Sequence, residues 1–378
     1  MRASLRWSPA LGLLGLGGCL SADVSVVDDD GGEGTTGSGG SVTLTSSGSA
    51  AEASSSESGL VTTASDSTGV QGECEDTPLR VATFNIEAVS SPGSDAFVGL
   101  AESIVRVGAD VVCMQEVNEG EDAWLGALAE EAGYDTVILA NESPPIGGEI
   151  FNACMARVPL ELLGSYGGSA LSSDPDANDV GRDILGVRAQ PEPGCFAGLF
   201  TVHLKSGGEY EDLFRRQVEA ERLERAVRLY RDNRPGDAVL VLGDFNEQLD
   251  DADLGTSLDA LPSTLPSSYE LGSDIELPLR YHPFEPLTEQ GFQLADAFQE
   301  DSTNADTFVG GSFTTRLDYI FYGQARLEGA EVYNACADNG VDDPPEGGWL
   351  PKQGEPLSCF STQIASDHLA VFADFTLP

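Results

Sequence analysis

The chain has 378 residues, and 63 Asp and Glu against 19 Lys and Arg give it a formal net charge of −44. Hydrophobic residues make up 40% of the sequence, which excludes a chain that is disordered throughout. No stretch approaches the roughly 20 consecutive apolar residues of a membrane-spanning helix. The charge excludes a protein that holds nucleic acid on a broad basic face, but it is compatible with a site that binds a divalent cation.

Residues 1–19 have the pattern of a bacterial lipoprotein signal. Arg2 and Arg6 precede a short apolar run, which ends in Leu-Gly-Gly directly before Cys19. This ending resembles the bacterial lipobox, in which the cysteine is lipidated and becomes the new N-terminus. An ordinary signal peptide with an incidental Cys19 is the alternative. The pattern predicts an exported protein with a lipid anchor at Cys19, on the outer membrane or cell surface.

Residues 20–77 predict a disordered linker between that anchor and the body of the protein. Gly, Ser and Thr dominate residues 31–72, and such a segment cannot bury enough apolar surface to offset chain entropy. We therefore predict one catalytic domain over residues 78–378, acting as a monomer and touching a membrane only through Cys19.

Six cysteines remain beyond the signal, and an even number in an exported protein allows three disulfides. Cys154 and Cys195 lie in apolar segments that could be neighbouring strands, while Cys336 and Cys359 bracket a loop rich in Pro and Gly. We predict these two pairs. Cys113 lies within an apolar run and could equally be a free thiol in the core.

The body alternates apolar strands with amphipathic helices, which predicts an α/β domain with mixed sheets and helices packed outside. Three successive strands between residues 151 and 203 suggest an antiparallel patch, and residues 249–286 are irregular. Strands are predicted over residues 79–86, 110–117, 151–157, 183–188, 196–203, 238–242, 317–321 and 369–375, and helices over 97–105, 124–129 and 209–232.

Polar residues stand where several of these strands stop, which is where active sites of α/β proteins gather. Each such fragment alone is typical of a solvated strand end or a turn, but here six occur in order. Their carboxylates and Asn side chains are hard oxygen ligands, suited to Mg²⁺, Mn²⁺ or Ca²⁺ rather than Zn²⁺. The fragments are Thr83-Phe84-Asn85, Gln115-Glu116, His203-Leu204-Lys205-Ser206, Gly243-Asp244-Phe245-Asn246, Leu317-Asp318-Tyr319-Ile320 and Ser366-Asp367-His368.

Together these fragments resemble the endonuclease/exonuclease/phosphatase superfamily, which has the deoxyribonuclease-I-like fold. The resemblance implies a four-layer α/β/β/α sandwich of two mixed sheets with helices outside. It also implies cleavage of phosphoesters with a divalent cation, Mg²⁺ or alternatively Mn²⁺ or Ca²⁺. By matching position, Glu116 is implied as the principal metal ligand, with Asn85 and Asp367 close to the ion.

The same resemblance implies roles for the remaining polar residues. Asp244 orients or deprotonates the attacking water, and Asn246 holds a phosphate oxygen. Asp318 hydrogen-bonds His368 and favours its cationic form, while His203 donates to a phosphate oxygen or to the leaving group. A carboxylate partner of His203 is also implied, for which Glu149 and Glu161 are both only candidates.

Several cations could contact the substrate phosphate. Lys205 follows His203 by two residues, so both side chains project to one face of an extended strand end. Arg182 and Arg316 could add phosphate contacts. Arg215 and Arg216 could do so as well, although a solvated helix face with Glu partners is the alternative for these two.

The resemblance implies a phosphodiesterase of nuclease type, with a phosphodiester and possibly a nucleic acid as substrate. A sphingomyelinase-like phospholipase C or another phosphoesterase is the alternative. A non-catalytic binding module would be expected to lack at least one of Glu116, Asp244 and His368, yet all three are present. Residues 1–76 hold only 11 of the acidic and two of the basic residues, so the negative charge belongs mainly to the body.

Overall fold

The computed structural model describes Cys74 and residues 76–140, 150–250, 253–300, 303–310, 313–340 and 349–378. The predicted signal at 1–19, the anchor at Cys19, most of the predicted linker at 20–77 and Glu149 lie outside the described residues. Among the helices that are described, none combines the length and apolar character needed to cross a membrane.

The described elements alternate along the chain, as the sequence pattern predicts. The strands are β1 (Thr77–Asn85), β2 (Val111–Asn118), β3 (Thr136–Leu139), β4 (Ile150–Ala156), β5 (Leu160–Tyr166), β6 (Ile184–Glu192), β7 (Cys195–His203), β8 (Ala238–Asp244), β9 (Ser257–Leu258), β10 (Leu279–Arg280), β11 (Gln293–Leu294), β12 (Asp318–Gly323), β13 (Arg326–Val332) and β14 (Val371–Leu377). The helices are α1 (Asp95–Val107), α2 (Asp122–Ala132), α3 (Tyr210–Asn233), α4 (Glu285–Glu289) and α5 (Cys359–Ala365).

Two six-stranded sheets form the centre of the domain. The first has the order β13-β14-β1-β2-β4-β3 and the second the order β11-β12-β8-β7-β6-β5. Each contains one parallel pair, β1 with β2 and β7 with β8, among antiparallel neighbours. Both sheets are therefore mixed. The two parallel pairs matter for function because their carboxyl ends lie at the same edge of the domain.

The alternation of side chains along each strand separates three hydrophobic layers. Leu79 and Val81 of β1 face the second sheet and pack with Leu240 and Leu242 of β8. Phe84 and its neighbours pack outward against α1, α2 and α5, while the other face of the second sheet packs against α3 and α4. Because the central strands β2, β7 and β8 bury both faces, their apolar residues form continuous runs. The predicted four-layer α/β/β/α sandwich is confirmed.

Local signals set the ends of the helices. The Ser94 hydroxyl accepts the Phe97 N–H at the start of α1, and Gly108 ends that helix in the left-handed conformation at φ 64°. The capping box of Glu209 and Asp212 starts α3. The capping box therefore starts α3 directly after the loop that follows β7. Residues of α3 support this loop at the site described below.

The predicted antiparallel patch is correct only in part. β6 pairs with β7, but β4 lies in the first sheet between β2 and β3. The chain changes sheets between β4 and β5, and the hydrophobic pattern does not show this because both sheets bury strands of similar composition. Strands β3, β5 and β13 were not predicted, since their side chains are mostly half-exposed or exposed.

Three disulfides join the six cysteines of the body. Cys336 and Cys359 are bonded as predicted. The predicted pair Cys154–Cys195 is wrong, because Cys154 lies opposite Cys113 in the β2/β4 ladder with their Cα atoms 4.0 Å apart. Cys113 is therefore bonded and is no free thiol. Cys195 instead bonds Cys74 and ties the start of the chain's described part to the second sheet.

Candidate active site

The polar residues predicted from the strand ends come together at one edge of the sandwich. Asn85 ends β1, His203 ends β7 and Asp244 ends β8, with His203 and Asp244 adjacent in the parallel ladder. Asp318 begins β12 opposite Asp244. His368 lies three residues before β14, the antiparallel neighbour of β1. The two sheets therefore contribute their functional residues from facing edges.

A β-bulge directs Glu116 into this cleft. Met114 faces Ala153 in the β2/β4 ladder and Val117 faces Phe151, so β2 carries one extra residue between these pairs. Glu116 adopts the left-handed conformation at φ 64° and is partly exposed. Strained backbone of this kind persists only where the surrounding structure holds it.

The residue before Glu116 anchors the bulge from inside the sandwich. Gln115 is fully buried, and its Nε2 donates to the hydroxyls of Thr83 at 3.1 Å and Thr201 at 2.8 Å. Thr83 belongs to the first sheet and Thr201 to the second. The Gln115 amide therefore bridges the two sheets directly beneath the site.

The Asn85 amide lies at the centre of the cluster. Its Nδ2 donates to Glu116 Oε1 and to Asp244 Oδ2, both at 3.0 Å, and lies 3.5 Å from His368 Nε2. Its Oδ1 accepts the Glu87 N–H at 3.1 Å. Asn85 thus holds carboxylates from both sheets in one arrangement.

Gly243 allows β8 to approach β7 closely enough for Asp244 to face the cleft. Its φ is 145°, and a Cβ at this position would lie 2.1 Å from the Val202 carbonyl oxygen. Asp244 is only 1% exposed, and its Oδ1 accepts the Asn246 N–H at 2.8 Å. Burial and the nearby Asp318 charge raise the pKa of Asp244 to about 7, against the effects of His368, Asn246 and Asn85.

Asn246 follows in the left-handed conformation at φ 52°. Asn tolerates this region better than most residues because its short side chain can hydrogen-bond locally. Its Nδ2 donates to the Leu204 carbonyl oxygen at 3.0 Å. Asn246 thereby connects the loop after β8 to the loop after β7.

His368 and Asp318 form a buried pair. His368 Nδ1 lies 2.8 Å from Asp318 Oδ2, and the Ser366 hydroxyl accepts the His368 backbone N–H at 3.0 Å. Burial alone would lower the pKa of His368, but the charges of Asp318, Asp244 and Asp367 raise it to about 10. The ring is therefore an imidazolium at neutral pH, and its Nε2 points towards Asp244 at 3.9 Å.

His203 has the opposite electrostatic character. It is 4% exposed, and burial followed by the charges of Arg182, His368 and Lys205 holds its pKa well below 6.5. Its Nε2 lies 3.5 Å from Asp244 Oδ2 and 3.6 Å from Glu116 Oε1. The ring is neutral at pH 7, so it can donate a hydrogen bond to a substrate but contributes no charge.

No described residue hydrogen-bonds His203 Nδ1, which is buried. Of the two candidate carboxylates, Glu161 lies on the edge strand β5 opposite Arg188, two strands away from β7. The structure does not bring it to His203, because Arg188 pairs with Gly198, five residues before His203. Glu149 belongs to the segment outside the described residues.

Arg182 and Lys205 lie close enough to His203 to lower its pKa, and each of the predicted phosphate-binding cations has protein partners of its own. Arg182 Nη1 donates to the carbonyl oxygens of His203 at 3.3 Å and Leu204 at 2.9 Å. Lys205 Nζ pairs with Asp212 at 2.8 Å. Arg316 pairs with Asp296 at 2.8 Å and lies over the Tyr319 ring.

Two groups of described residues bring possible metal-ligand atoms within 4.8 Å of one another: Glu116 with His203 and Asp244, and Asp244 with Asp318 and His368. Glu116 and Asp367 present carboxylates whose side chains are 28% and 41% exposed, while the Asn85 amide turns its Nδ2 towards Glu116 and His368 and its Oδ1 towards the Glu87 N–H. Asp367 Oδ1 lies 4.0 Å from His368 Nε2. Carboxylate and amide oxygens are the donors that Mg²⁺ and Ca²⁺ prefer.

Sequence reasoning missed the supporting roles of three residues that hold this cluster. Gln115 lay in a recognised fragment, but its bridge between the sheets was not predicted. Glu219, on α3, is buried and accepts the N–H groups of Gly181 at 3.0 Å and Lys205 at 2.7 Å. Arg216 is buried as well, so the solvated face considered for it is wrong. A signal was present, because both residues continue the helical stripe of Leu223.

Several solved structures are similar to this chain at low sequence identity. ANGEL2, described as a 2′,3′-cyclic phosphatase in complex with adenosine-2′,3′-vanadate, is 16% identical over 79% of this chain and 96% of its own, with a TM-score of 0.50. A family protein from Bacteroides thetaiotaomicron is 13% identical over 80% and 99%, with a TM-score of 0.48. Truncated Caenorhabditis elegans TDP2 is 15% identical over 79% and 98%, with a TM-score of 0.46.

A search of curated protein sequences finds no match to this chain. The Endonuclease/Exonuclease/phosphatase family profile, in contrast, matches residues 82–368. This range includes all six strand-end fragments, from Asn85 to His368. The chain therefore belongs to the Endonuclease/Exonuclease/phosphatase family of phosphoester-hydrolysing enzymes.

Proposed function

We propose that this enzyme is a divalent-metal-dependent phosphodiesterase of nuclease type. The observation that carries the proposal is the position of Asp244 between two unlike groups. Asn85 links its carboxylate to Glu116 at the side open to a cation, and the Asp318–His368 pair adjoins it on the other side. Hydrolysis of a phosphodiester needs an activated water together with positive charge on the phosphoryl oxygens.

Glu116 and Asp367, with the Asn85 amide beside them, would hold the cation. When bound, a divalent cation supplies positive charge that polarises a phosphoryl oxygen. The four carboxylates of the cluster otherwise leave it strongly negative, and a phosphate would be repelled. The oxygen-rich donor set favours Mg²⁺, with Mn²⁺ or Ca²⁺ as alternatives.

Asp244 would orient the attacking water and accept its proton. The Asn246 N–H and the Asn85 amide fix both carboxylate oxygens of Asp244 at 2.8 and 3.0 Å. Its raised pKa of about 7 makes it a stronger base than an ordinary aspartate. A base held in one rotamer can be aligned in line with the leaving oxygen, which is the arrangement that displacement at phosphorus requires.

His368 would place a fixed positive charge against the phosphoryl group. Asp318 holds its Nδ1, which leaves the protonated Nε2 directed into the cleft. Neutral His203 would donate its ring N–H to a phosphoryl oxygen or to the leaving oxygen, and Asn246 would hold a further oxygen. Preorganised donors of this kind are effective because they need no rearrangement when charge develops.

Lys205, Arg182 and Arg316 are proposed as further substrate contacts. In the free enzyme Lys205 pairs with Asp212, so this cation would exchange its carboxylate partner for phosphate. The negative charge of the body favours recognition of one phosphodiester and its close neighbours over contact with a long stretch of nucleic acid.

We also propose that the enzyme is exported, anchored in a bacterial membrane through Cys19 and active as a monomer. The three disulfides support export, because such bonds persist in oxidising compartments. Cys19→Ser should move the protein from the membrane fraction to the soluble fraction. An unchanged fractionation would contradict the anchor.

The activity is tested by incubating the purified enzyme with supercoiled plasmid, RNA, sphingomyelin and bis-p-nitrophenyl phosphate. Each substrate is tried with Mg²⁺, Mn²⁺, Ca²⁺ and EDTA. We expect metal-dependent cleavage of a nucleic acid and of bis-p-nitrophenyl phosphate, abolished by EDTA. Release of phosphocholine alone would identify a phospholipase C instead, and no cleavage with any metal would contradict the proposal.

A further inference from the structure

Arg216 is a buried cation of α3 that contacts no described carboxylate of the site itself. Its Nε donates to the Lys205 carbonyl oxygen at 2.7 Å, and its Nη2 donates to the Gly207 carbonyl oxygen. Its Nη1 donates to Glu247 Oε2 at 2.5 Å and to the Tyr281 hydroxyl. One planar guanidinium thus joins the loop after β7 to the loop after β8.

These are the loops that carry the proposed substrate contacts. Glu247 directly follows Asn246, which has a left-handed backbone. The Asp244 carboxylate holds the Asn246 N–H on one side of this turn, and Arg216 holds Glu247 on the other. A residue in a sparsely populated conformation relaxes when one of its flanking contacts is lost. Loss of the Arg216–Glu247 contact is therefore expected to displace the Asn246 amide.

Burial makes this contact both strong and specific. The side chains of Arg216 and Glu247 are 3% and 2% exposed, so neither charge can be left unpaired without a large loss. Three separate donor groups of one rigid plane reach three chain segments. Lysine could keep the charge at this position, but its single ammonium cannot reproduce that geometry.

We propose that Arg216 is a positioning residue that acts on catalysis through Asn246, with Glu247 as the link between them. The inference rests on the proposed function, because it assigns Arg216 to the same reaction. It goes further in placing part of the control of that reaction on the buried face of α3.

Arg222 supplies a matched control on the same helix. It is buried as well, at 2% exposure, and its guanidinium pairs with Asp179 and Asp274. It donates in addition to the Leu171 carbonyl oxygen, so it braces segments outside the catalytic loops. Arg216→Lys and Arg222→Lys therefore impose similar changes on a buried ion pair, but only the first touches the loop of Asn246.

The experiment measures kcat and KM of both variants on bis-p-nitrophenyl phosphate, alone and combined with Asn246→Ala. We expect Arg216→Lys to lower kcat by about ten- to a hundredfold, the effect of a misplaced group, with KM changed by less than about threefold. In the Asn246→Ala background the same substitution should lower kcat by less than about threefold, because residues that act as a unit are not additive. Arg222→Lys should keep the wild-type kcat per folded molecule.

An equal loss of kcat from Arg216→Lys in both backgrounds, or an equal loss from Arg222→Lys, would overturn the proposal. Thermal unfolding of each variant corrects for the folded fraction. If Arg216→Lys does not fold, Tyr281→Phe takes its place. It removes only the hydroxyl that contacts Arg216 and Glu247, and its smaller loss of kcat should likewise vanish in the Asn246→Ala background.

Hydrogen exchange separates this inference from the proposed function. In the metal-free enzyme, Arg216→Lys should speed amide exchange about tenfold or more in residues 204–208 and 245–248, and Arg222→Lys should not. If the wild type cleaves no phosphodiester, the proposed function fails. This measurement still tests whether Arg216 holds the two loops in place. Unchanged exchange in both segments would overturn the positioning role of Arg216, whatever substrate the enzyme cleaves.

Discussion

The side-chain amide of Asn85 donates to the carboxylate of Asp244 at 3.0 Å, although the two residues belong to different sheets. This hydrogen bond joins the two sheets at the edge where both parallel strand pairs end. Glu116, the proposed metal ligand, and Asp244, the proposed base, are thereby linked through one amide group. A substitution that displaces either sheet at this edge should therefore lower the catalytic rate.

Asp244→Asn tests the proposed base. The substitution keeps the shape of the side chain and an oxygen for the Asn246 N–H, but it removes the proton acceptor. We expect kcat to fall by about 10²–10⁴-fold, the usual contribution of general acid–base catalysis. The measurement is steady-state hydrolysis of bis-p-nitrophenyl phosphate, with circular dichroism to verify folding.

Glu116→Ala and His368→Ala complete this series, and both should lower turnover by several orders of magnitude. Asp237→Asn is the control, because Asp237 pairs with Arg188 at the opposite end of β8. Rates near the wild-type value for two of the three site variants would contradict the site assignment.

Asp318→Asn should remove most of the positive character of His368. In the wild type, Asp318 and its neighbours raise the pKa of His368 to about 10. Proton NMR in EDTA can follow this directly, since the chain has only three histidines. We expect the pKa of His368 to fall towards its ordinary value of about 6.5 in the variant. An unchanged titration would show that Asp318 does not hold the charge.

The same pair links stability to pH, with a definite sign. The folded pKa of His368 lies above its unfolded value, so the pair stabilises the folded state fully below pH 6.5 and loses this contribution as pH rises through about 10. The free energies of unfolding of the wild type and Asp318→Asn, measured with urea, should therefore differ most at the lowest pH at which both proteins fold. A difference that grows above pH 8 would be inconsistent with this.

Asp274 gives a pH dependence of opposite sign. Hydrogen bonds from Arg222 lower the pKa of Asp274 below its ordinary value, with further bonds from Ser173 and Ser172. The folded state gains this stabilisation above the unfolded pKa of about 3.9 and loses it as pH falls further. At pH 7, Asp274→Asn should lower the free energy of unfolding by about 1 kcal/mol, since solvent screens the partly exposed carboxylate.

The matched control for Asp274 is Asp176→Asn, because Asp176 is exposed in the nearby loop. Its free energy of unfolding should stay within about 0.5 kcal/mol of wild type. A destabilisation of Asp274→Asn that persists undiminished at pH 2 would show that the ion pairs are not its cause.

The rate of plasmid cleavage should stay level or rise as salt is increased from near zero. Of the 63 acidic and 19 basic residues, 52 and 17 lie beyond residue 76, so the body repels a polyanion until salt screens it. Cleavage of bis-p-nitrophenyl phosphate, which carries one charge, should respond less. A plasmid rate that falls steadily from the lowest salt would indicate an unrecognised basic surface instead.

Local patterns predicted an α/β domain with mixed sheets, and the family resemblance of six short fragments in order implied the four layers and much of the site. The apolar runs around Val81 and Leu240 predict buried strands, because each strand is covered on both faces. Asn85, Asp244 and His368 could be predicted as neighbours because each stands at a strand end, and strand ends of such a domain gather at one edge. These inferences need only the order of residues along the chain.

Tertiary structure alone decided what depends on register between distant strands. Cys154 bonds Cys113 because the β2/β4 ladder sets them opposite each other, and nothing within either segment specifies that pairing. A solvated helix face was one alternative for Arg216, yet it is buried and contacts the loops after β7 and β8. The opposite protonation of His203 and His368 has the same origin, since burial and neighbouring charges come from segments far apart in sequence. The sequence by itself determined which polar groups meet at the site. Packing decided their protonation states and which buried residues hold them in place.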